Sequence, residues 1–307
     1  MMKKFTFLIS AIVLGLSSGK AQTFTDGLMM SNKDLCTGFI YSSDSWKNYW
    51  EGSLKRDNGN IGTLTTKSVA WMGAYGITDK INVIAMVPYV WTHASKGTLQ
   101  GMQGLQDLTI GAKYNFFKKA IGSSELSTFL VGSFSAPLSD YTPDYLPLSI
   151  GLASKRLSGR FTTNYKLSSG WYATGNIGYT WRSNITLDRP AYYTDGVQTL
   201  SDEVWMPNVF DYSINVGYLK NGFQAFVGYT QQNTLGGGDI RRQDMPFASN
   251  RMNFSKVDVT VKYFIPKINS LAVWAGIGYT LTGRNVGQST YYMGGLLYTL
   301  HFAKTAK

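Results

Sequence analysis

Cysteine is nearly missing from this chain: Cys36 is the only one in 307 residues. No internal disulfide can form, so a chain exported to an oxidising compartment must draw its rigidity from elsewhere. Charge is also scarce, at 15% of residues, and there are only two histidines, His93 and His301. Beyond the first residues no uninterrupted apolar run reaches the length needed to cross a bilayer as a helix, which excludes a helical membrane protein. Metal-ligand spacing is absent too, since no His, Cys, Asp and Glu cluster together. What is abundant is glycine, with 33 residues, and aromatics: 20 Tyr, 16 Phe and 8 Trp.

Met1 to Ala21 has the layout of a secretory signal. Lys3 and Lys4 form a charged start, Phe5 to Leu16 an apolar core, and Gly19-Lys20-Ala21 a small-residue cleavage site before Gln22. Residues 1–21 are therefore expected to be a signal peptide and residues 22–307 the mature domain. The formal net charge is +11. The cations form no stripe or basic helix, and export removes nucleic acid as a partner. They are expected instead to line a lumen and to meet anionic lipid and lipopolysaccharide at the rims.

The dominant signal is alternation. In Leu105 to Phe116, Gln106, Leu108, Ile110, Ala112, Tyr114 and Phe116 fall on one side and Leu105, Asp107, Thr109, Gly111, Lys113 and Asn115 on the other. Val257, Val259, Val261 and Tyr263 oppose Lys256, Asp258, Thr260 and Lys262. Phe210, Tyr212, Ile214, Val216 and Tyr218 oppose Asp211, Ser213, Asn215 and Gly217, and Trp171 to Arg182 repeats the pattern. Each apolar face keeps charge out of its middle and carries Tyr or Trp toward its ends, as lipid interfaces favour.

Twelve such segments are predicted: Leu35–Ser43, Gly62–Ile77, Ile81–Ala94, Leu105–Phe117, Glu125–Pro137, Leu148–Leu167, Trp171–Ser183, Trp205–Leu219, Phe223–Asn233, Arg251–Ile265, Leu271–Thr282 and Thr290–Phe302. Short connections (78–80, 118–124, 168–170, 220–222, 266–270) alternate with longer ones (44–61, 95–104, 138–147, 184–204, 234–250, 283–289), the arrangement of short periplasmic turns opposite external loops. The fold class expected is all-β, a transmembrane antiparallel up-and-down β-barrel of the bacterial outer membrane. The competing reading is a half-buried sheet in a soluble sandwich. Two irregularities stand out. Leu148, Ile150 and Leu152 are even while Leu157, Phe161 and Tyr165 are odd, which a bulge near Ala153–Lys155 or a split strand would reconcile. Pro88 removes a ladder donor and predicts a local kink or an unmade bond.

By parity the lumen would hold Lys113, Arg156, Arg160, Lys166, Arg182, Lys256 and Lys262 against Asp107, Asp211 and Asp258. These read either as a weakly anion-selective path or as ion pairs between strands that fill the interior. Met72, Met86, Phe129, Phe226, Trp274, Tyr291 and Met293 also point inward, as the walls of a path for a greasy solute or as packing beside inserted loops. The loop Thr234–Asn250, with Asp239, Arg241, Arg242 and Asp244, is either a constriction or an external loop packed by its own ion pairs. Its Gly236-Gly237-Gly238 lacks the lysine and helix of a phosphate cradle.

Tyr75 to Tyr89 (YGITDKINVIAMVPY) followed by Gly104 to Phe117 (GLQDLTIGAKYNFF) resembles the outer-membrane transporter family associated with phenol meta-pathway degradation, related to the fatty-acid and aromatic-hydrocarbon outer-membrane channels. The resemblance rests on Tyr75, Gly76, Thr78, Asp79, Pro88, Tyr89, Gly104, Asp107, Lys113 and Tyr114; Gln106 stands where the family often has Gly. It covers about a seventh of the chain well and implies passive import of small hydrophobic or aromatic compounds.

No cofactor and no catalytic residue are expected. His93 and Ser95, two apart on one strand face, are the sole hydroxyl and imidazole neighbours, a thin basis for a hydrolase. No N-terminal plug domain is visible. The expected function is passive passage of a small, hydrophobic, aromatic or anionic solute; the alternative is a non-conducting barrel that presents its loops as a structural platform.

Overall fold

In a computed structural model, residues 22–242, 244–265, 268 and 270–302 are described. The expected signal peptide lies outside them. Twelve strands form the wall: β1 (Asp34–Trp46), β2 (Leu64–Gly76), β3 (Ile81–Ala94), β4 (Asp107–Ile121), β5 (Ser124–Pro137), β6 (Arg156–Lys166), β7 (Trp171–Arg182), β8 (Val209–Lys220), β9 (Phe223–Thr234), β10 (Asn253–Phe264), β11 (Leu271–Arg284) and β12 (Thr290–His301). A three-residue strand, Gln103–Leu105, pairs with β3 ahead of β4. Each strand pairs antiparallel with its chain neighbours, and β1 pairs with both β2 and β12, from Asp34 opposite His301 to Ser45 opposite Thr290. The sheet therefore closes on itself and leaves no free edge.

Burial is inverted relative to a water-soluble protein. Phe39, Leu157, Ile177, Ile214, Val227 and Leu296 are each more than half exposed, whereas Asn82, Thr162, Thr174 and Asn176 inside the wall are buried. Soluble monomers do not expose so continuous an apolar surface. A sandwich would also have packed these rows against each other, so the competing reading falls. Aromatics gather at both rims: Tyr41, Tyr89 and Trp91, with Tyr179 against Trp181, at the long-loop end, and Trp171 with Tyr218, Phe223 with Tyr263 and Tyr75 with Phe302 at the short-turn end. An apolar band between two aromatic girdles is the wall of an outer-membrane barrel.

The irregularities resolve in physical terms. Leu148–Lys155 is not strand; β6 begins at Arg156, and the even-numbered Leu148 and Ile150 are buried inside the barrel mouth. Their phase differs from that of Leu157 and Phe161 because they belong to an inserted loop, so neither a bulge nor a split strand is needed. Likewise Trp205–Asn208 is loop, and β8 begins at Val209. The ladder is instead interrupted at Gln106, besides register shifts at Asn115/Phe117 and Ser255/Lys256. Tyr89 faces Leu105 and Met86 faces Thr109, so the three residues 106–108 oppose the two residues 87–88. The Gln106 amide reaches Ile150 O on the inside while Leu105 is exposed, which reverses the sides expected for these two residues. Gln106 N donates to Pro88 O at 3.0 Å, so the bulge falls at Pro88 itself.

Candidate functional site

The predicted lumen residues face the interior, but the structure sorts them into different company. Arg160 on β6 meets Asp211 on β8 through two bonds of 2.7 and 3.0 Å. Gly178 on β7 lies in register between them, and a Cβ there would strike both side chains. Arg156 meets Asp107 at 2.8 Å across β5, and Asp107 also accepts a 2.7 Å bond from Tyr141 Oη. Lys256 sits over the rings of Tyr291 and Phe254, and Lys262 over Trp274 at 4.7 Å. Arg182 and Lys166 lie at opposite ends of the wall, Arg182 near Arg156 and Lys166 beside Glu125. Asp258 accepts from Thr260 and lies near Lys256. Two of the three predicted acids are thus engaged in ion pairs, each between strands separated by a third rather than between the neighbouring strands that the interior-filling reading named.

Lys113 has a partner that the sequence reading did not find. Its ammonium is fully buried and binds Asp26 Oδ1 at 3.0 Å, with further bonds to the carbonyls of Thr23 and Asp26. Residues 22–33 are not outside the wall. They enter past the turn at Gly76–Asp79, where Lys33 N donates to Gly76 O and Asn32 N to Asp79, and cross the lumen. Met30 packs among Cys36, Met72, Ala74 and Ile84. Thr25 O accepts from Asn176 of β7, and Gln22, itself buried, pairs with Asn82 of β3. This short segment does the spatial work of a plug, which the sequence reading did not anticipate. Asp26 caps its own turn by accepting from Thr23 and Leu28 N–H groups, a short-range device that left a weak signal in TDG.

This segment divides the interior. On one side is a cavity of about 400 Å³ lined by Thr23, Thr25 and Asp26 together with Phe226, Lys256, Lys262, Trp274, Tyr291 and Met293. On the other is one of about 300 Å³ that includes Gly27 to Ser31, Asn115, Glu125, Phe129 and Lys166. Tyr172 and Gln224, bonded at 2.9 Å, line both. Phe129, expected along a path, is buried against the Lys113 ammonium at 4.9 Å.

The mouth at the long-loop end is narrowed by residues 138–155. Leu148 packs on Leu64 and Ala94, and Ile150 and Tyr141 on Val90, all inward residues of β2 and β3. Thr92 Oγ1 donates to Leu148 O, and Tyr141 Oη accepts from Ala153 N at 3.1 Å. Burial, followed by the bond to Asp107, pushes the Tyr141 hydroxyl well above the ordinary tyrosine range. Residues of the loops 183–208 and 235–252 close over Leu152 in a second apolar cluster. The loop Thr234–Asn250 does not pack by ion pairs of its own, since its Asp239 and Arg241 pair with residues outside it. Its Asp239 is held by Arg284 at 2.6 and 2.8 Å and by Asn285, on the neighbouring connection, and none of its described residues lines the central cavity. The Arg284 guanidinium holds the Asp239 carboxyl at about 2, below the usual range.

His93 is exposed, and Ser95 Oγ accepts from Thr63 N at 2.8 Å. Among the described residues, no group of three or more His, Cys, Asp or Glu is placed to hold a metal.

A family model described as "Putative MetA-pathway of phenol degradation" matches residues 61–293. The chain belongs to this family. Among solved structures, the COG4313 outer membrane channel from Pseudomonas putida F1 superposes with a TM-score of 0.69 over 92% of this chain and 99% of its own, at 12% identity. The NanC porin gives 0.46 over 85% and 100% at 10% identity, and the CymD monoaromatic hydrocarbon channel 0.42 over 90% and 90% at 10%. No curated protein sequence matches the chain. The phenol-degradation family match runs from just before β2 to within β12, so the lumenal segment and β1 stand outside it. Within the match lie all the residues predicted to point inward, from Met72 to Met293.

Proposed function

We propose that this barrel lets a small organic solute cross the bacterial outer membrane passively, residues 1–21 being a signal removed on export and residues 22–307 the barrel. The single observation that carries the reading is the inside-out wall around cavities of about 400 and 300 Å³ whose linings mix charged, polar and apolar side chains. Protein that faces lipid with grease and keeps polar space within is built to hold something water-borne there. The mixed lining of Lys256, Lys262 and Arg160 with Phe226, Trp274 and Tyr291 supports a solute with both charge and an apolar body, and the family description supports an aromatic one. Lipid and lipopolysaccharide contact the girdles and loop rims. No step here calls for a catalyst, so transport needs only binding weak enough to release.

The filled interior favours one second reading, a closed barrel that serves as a platform for its loops. Reconstitution in planar bilayers separates the two. A channel shows solute-dependent conductance and a reversal potential under a salt gradient. A wall that stays electrically silent under every condition, while a loop-binding partner is retained, overturns transport.

A further inference from the structure

The lumen contains an unusual concentration of buried donors for an anion. Lys113 is wholly buried and Lys262 nearly so, and the Asp26 charge acts on both. Trp274, in register with Lys262, lines the larger cavity, and its buried Nε1–H has no partner among the described residues. Asp26, Lys262 and Trp274 line that cavity together with Phe226, Tyr291 and Met293, and Lys113 lies behind Asp26, against which it is paired. The neighbouring acids are already committed, Asp211 to Arg160 and Asp258 beside Lys256 and Thr260. The one carboxylate delivered to this place by a segment that is not part of the wall is Asp26.

A buried ammonium deprived of its counter-charge is costly, so Asp26 stays on Lys113 in the unperturbed chain until another anion replaces it. We infer that the cavity is a binding site for a small organic carboxylate with an apolar or aromatic body, whose charged head replaces Asp26 at the lysine pair and so releases the lumenal segment. The ring faces of Trp274 and Tyr291 receive the body, and the Trp274 Nε1–H donates to a carboxylate oxygen. This rests on the channel reading and names its solute class. The solute binds the open state and Asp26 the closed one, so each weakens the other by the same factor. A tethered carboxylate competes as if present at a concentration on the order of millimolar, which sets the solute range over which opening occurs.

The test uses full-length protein in planar bilayers, with sodium benzoate as the probe and benzyl alcohol as its uncharged counterpart. Gly27→Leu is the release control, because a side chain at Gly27 would collide with Asn164 and expel the segment without touching Asp26 or Lys113. Correct folding of each variant is checked by its electrophoretic shift on heating. Wild type is expected to conduct weakly in potassium chloride and several-fold more with benzoate, and to ignore benzyl alcohol. Asp26→Asn is expected to conduct without benzoate. Lys262→Met should lose the benzoate response, while Gly27→Leu/Lys262→Met still conducts. If Gly27→Leu conducts but benzoate leaves wild type unchanged, or benzyl alcohol does as well, the carboxylate site is overturned and the channel stands. If folded Gly27→Leu is silent, the channel reading falls and this inference with it.

Discussion

Gly178 lets Arg160 and Asp211 meet, because a bare backbone on β7 leaves open the line between β6 and β8. Gly178→Val is expected to break that pair and destabilise the barrel by about 2 kcal/mol, the order of a hydrogen-bonded charge contact. Asp211→Ala should cost about the same, and the double variant little more than either, since both remove one interaction; urea unfolding from lipid vesicles measures it. Asp239 gives a pH signature at the same scale. Its folded value of about 2 lies below its ordinary 3.8. The ion pair with Arg284 is therefore fully present above the ordinary value and is lost as pH falls toward about 2. Limited pepsin digestion should show loop 235–252 protected at pH about 4 and opening toward about 2. Arg284→Ala should move that onset upward, and an unchanged onset would exclude the pair as the cause. The inward direction of these side chains was legible in period-two alternation. Their partners were not, because Arg160 and Asp211 stand 51 residues apart and Lys113 and Asp26 87.

Elements were legible where they repeat. Ile81–Ala94 matches β3 to the residue, because the segment alternates without a break and turn residues bound it. Pro88 pointed to a local fault, and the fault is the Gln106 bulge against it. Residues 148–155 misled because apolar alternation marks a buried row of any kind, and here the row faces the inner wall rather than lipid. Ile150→Ala tests that placement. Removing a side chain buried on Val90 should cost the inserted loop about 2–4 kcal/mol and speed hydrogen exchange across residues 138–155, with the strand amides unaffected. Equal exchange in both proteins would mean that the loop does not depend on this contact.

For the whole molecule, the decisive property is which side of the wall is dry. Val259 is exposed at the middle of β10 and Thr260 beside it is buried inside. Val259→Lys should destabilise folding into vesicles by about 2–4 kcal/mol, the cost of a cation at the bilayer midplane. Phe39 on β1 also faces outward, at 62% exposure, so Phe39→Lys should carry a penalty of the same sign. Denaturant titration decides the matter. A change within about 0.5 kcal/mol at both sites, as exposed positions of soluble proteins commonly show, is incompatible with a lipid-facing wall.

The sequence by itself determined the wall: twelve alternating strands with grease outward, short turns at one end and long loops at the other. Side-chain direction on a strand is local and repeats every second residue, so it can be read without knowing what the strand touches. Only the tertiary structure decided what fills the wall. The lumenal segment, the inserted loop and the ion pairs have no period of their own, and they take their places through contacts between residues far apart in the chain, which exist only once the barrel has closed.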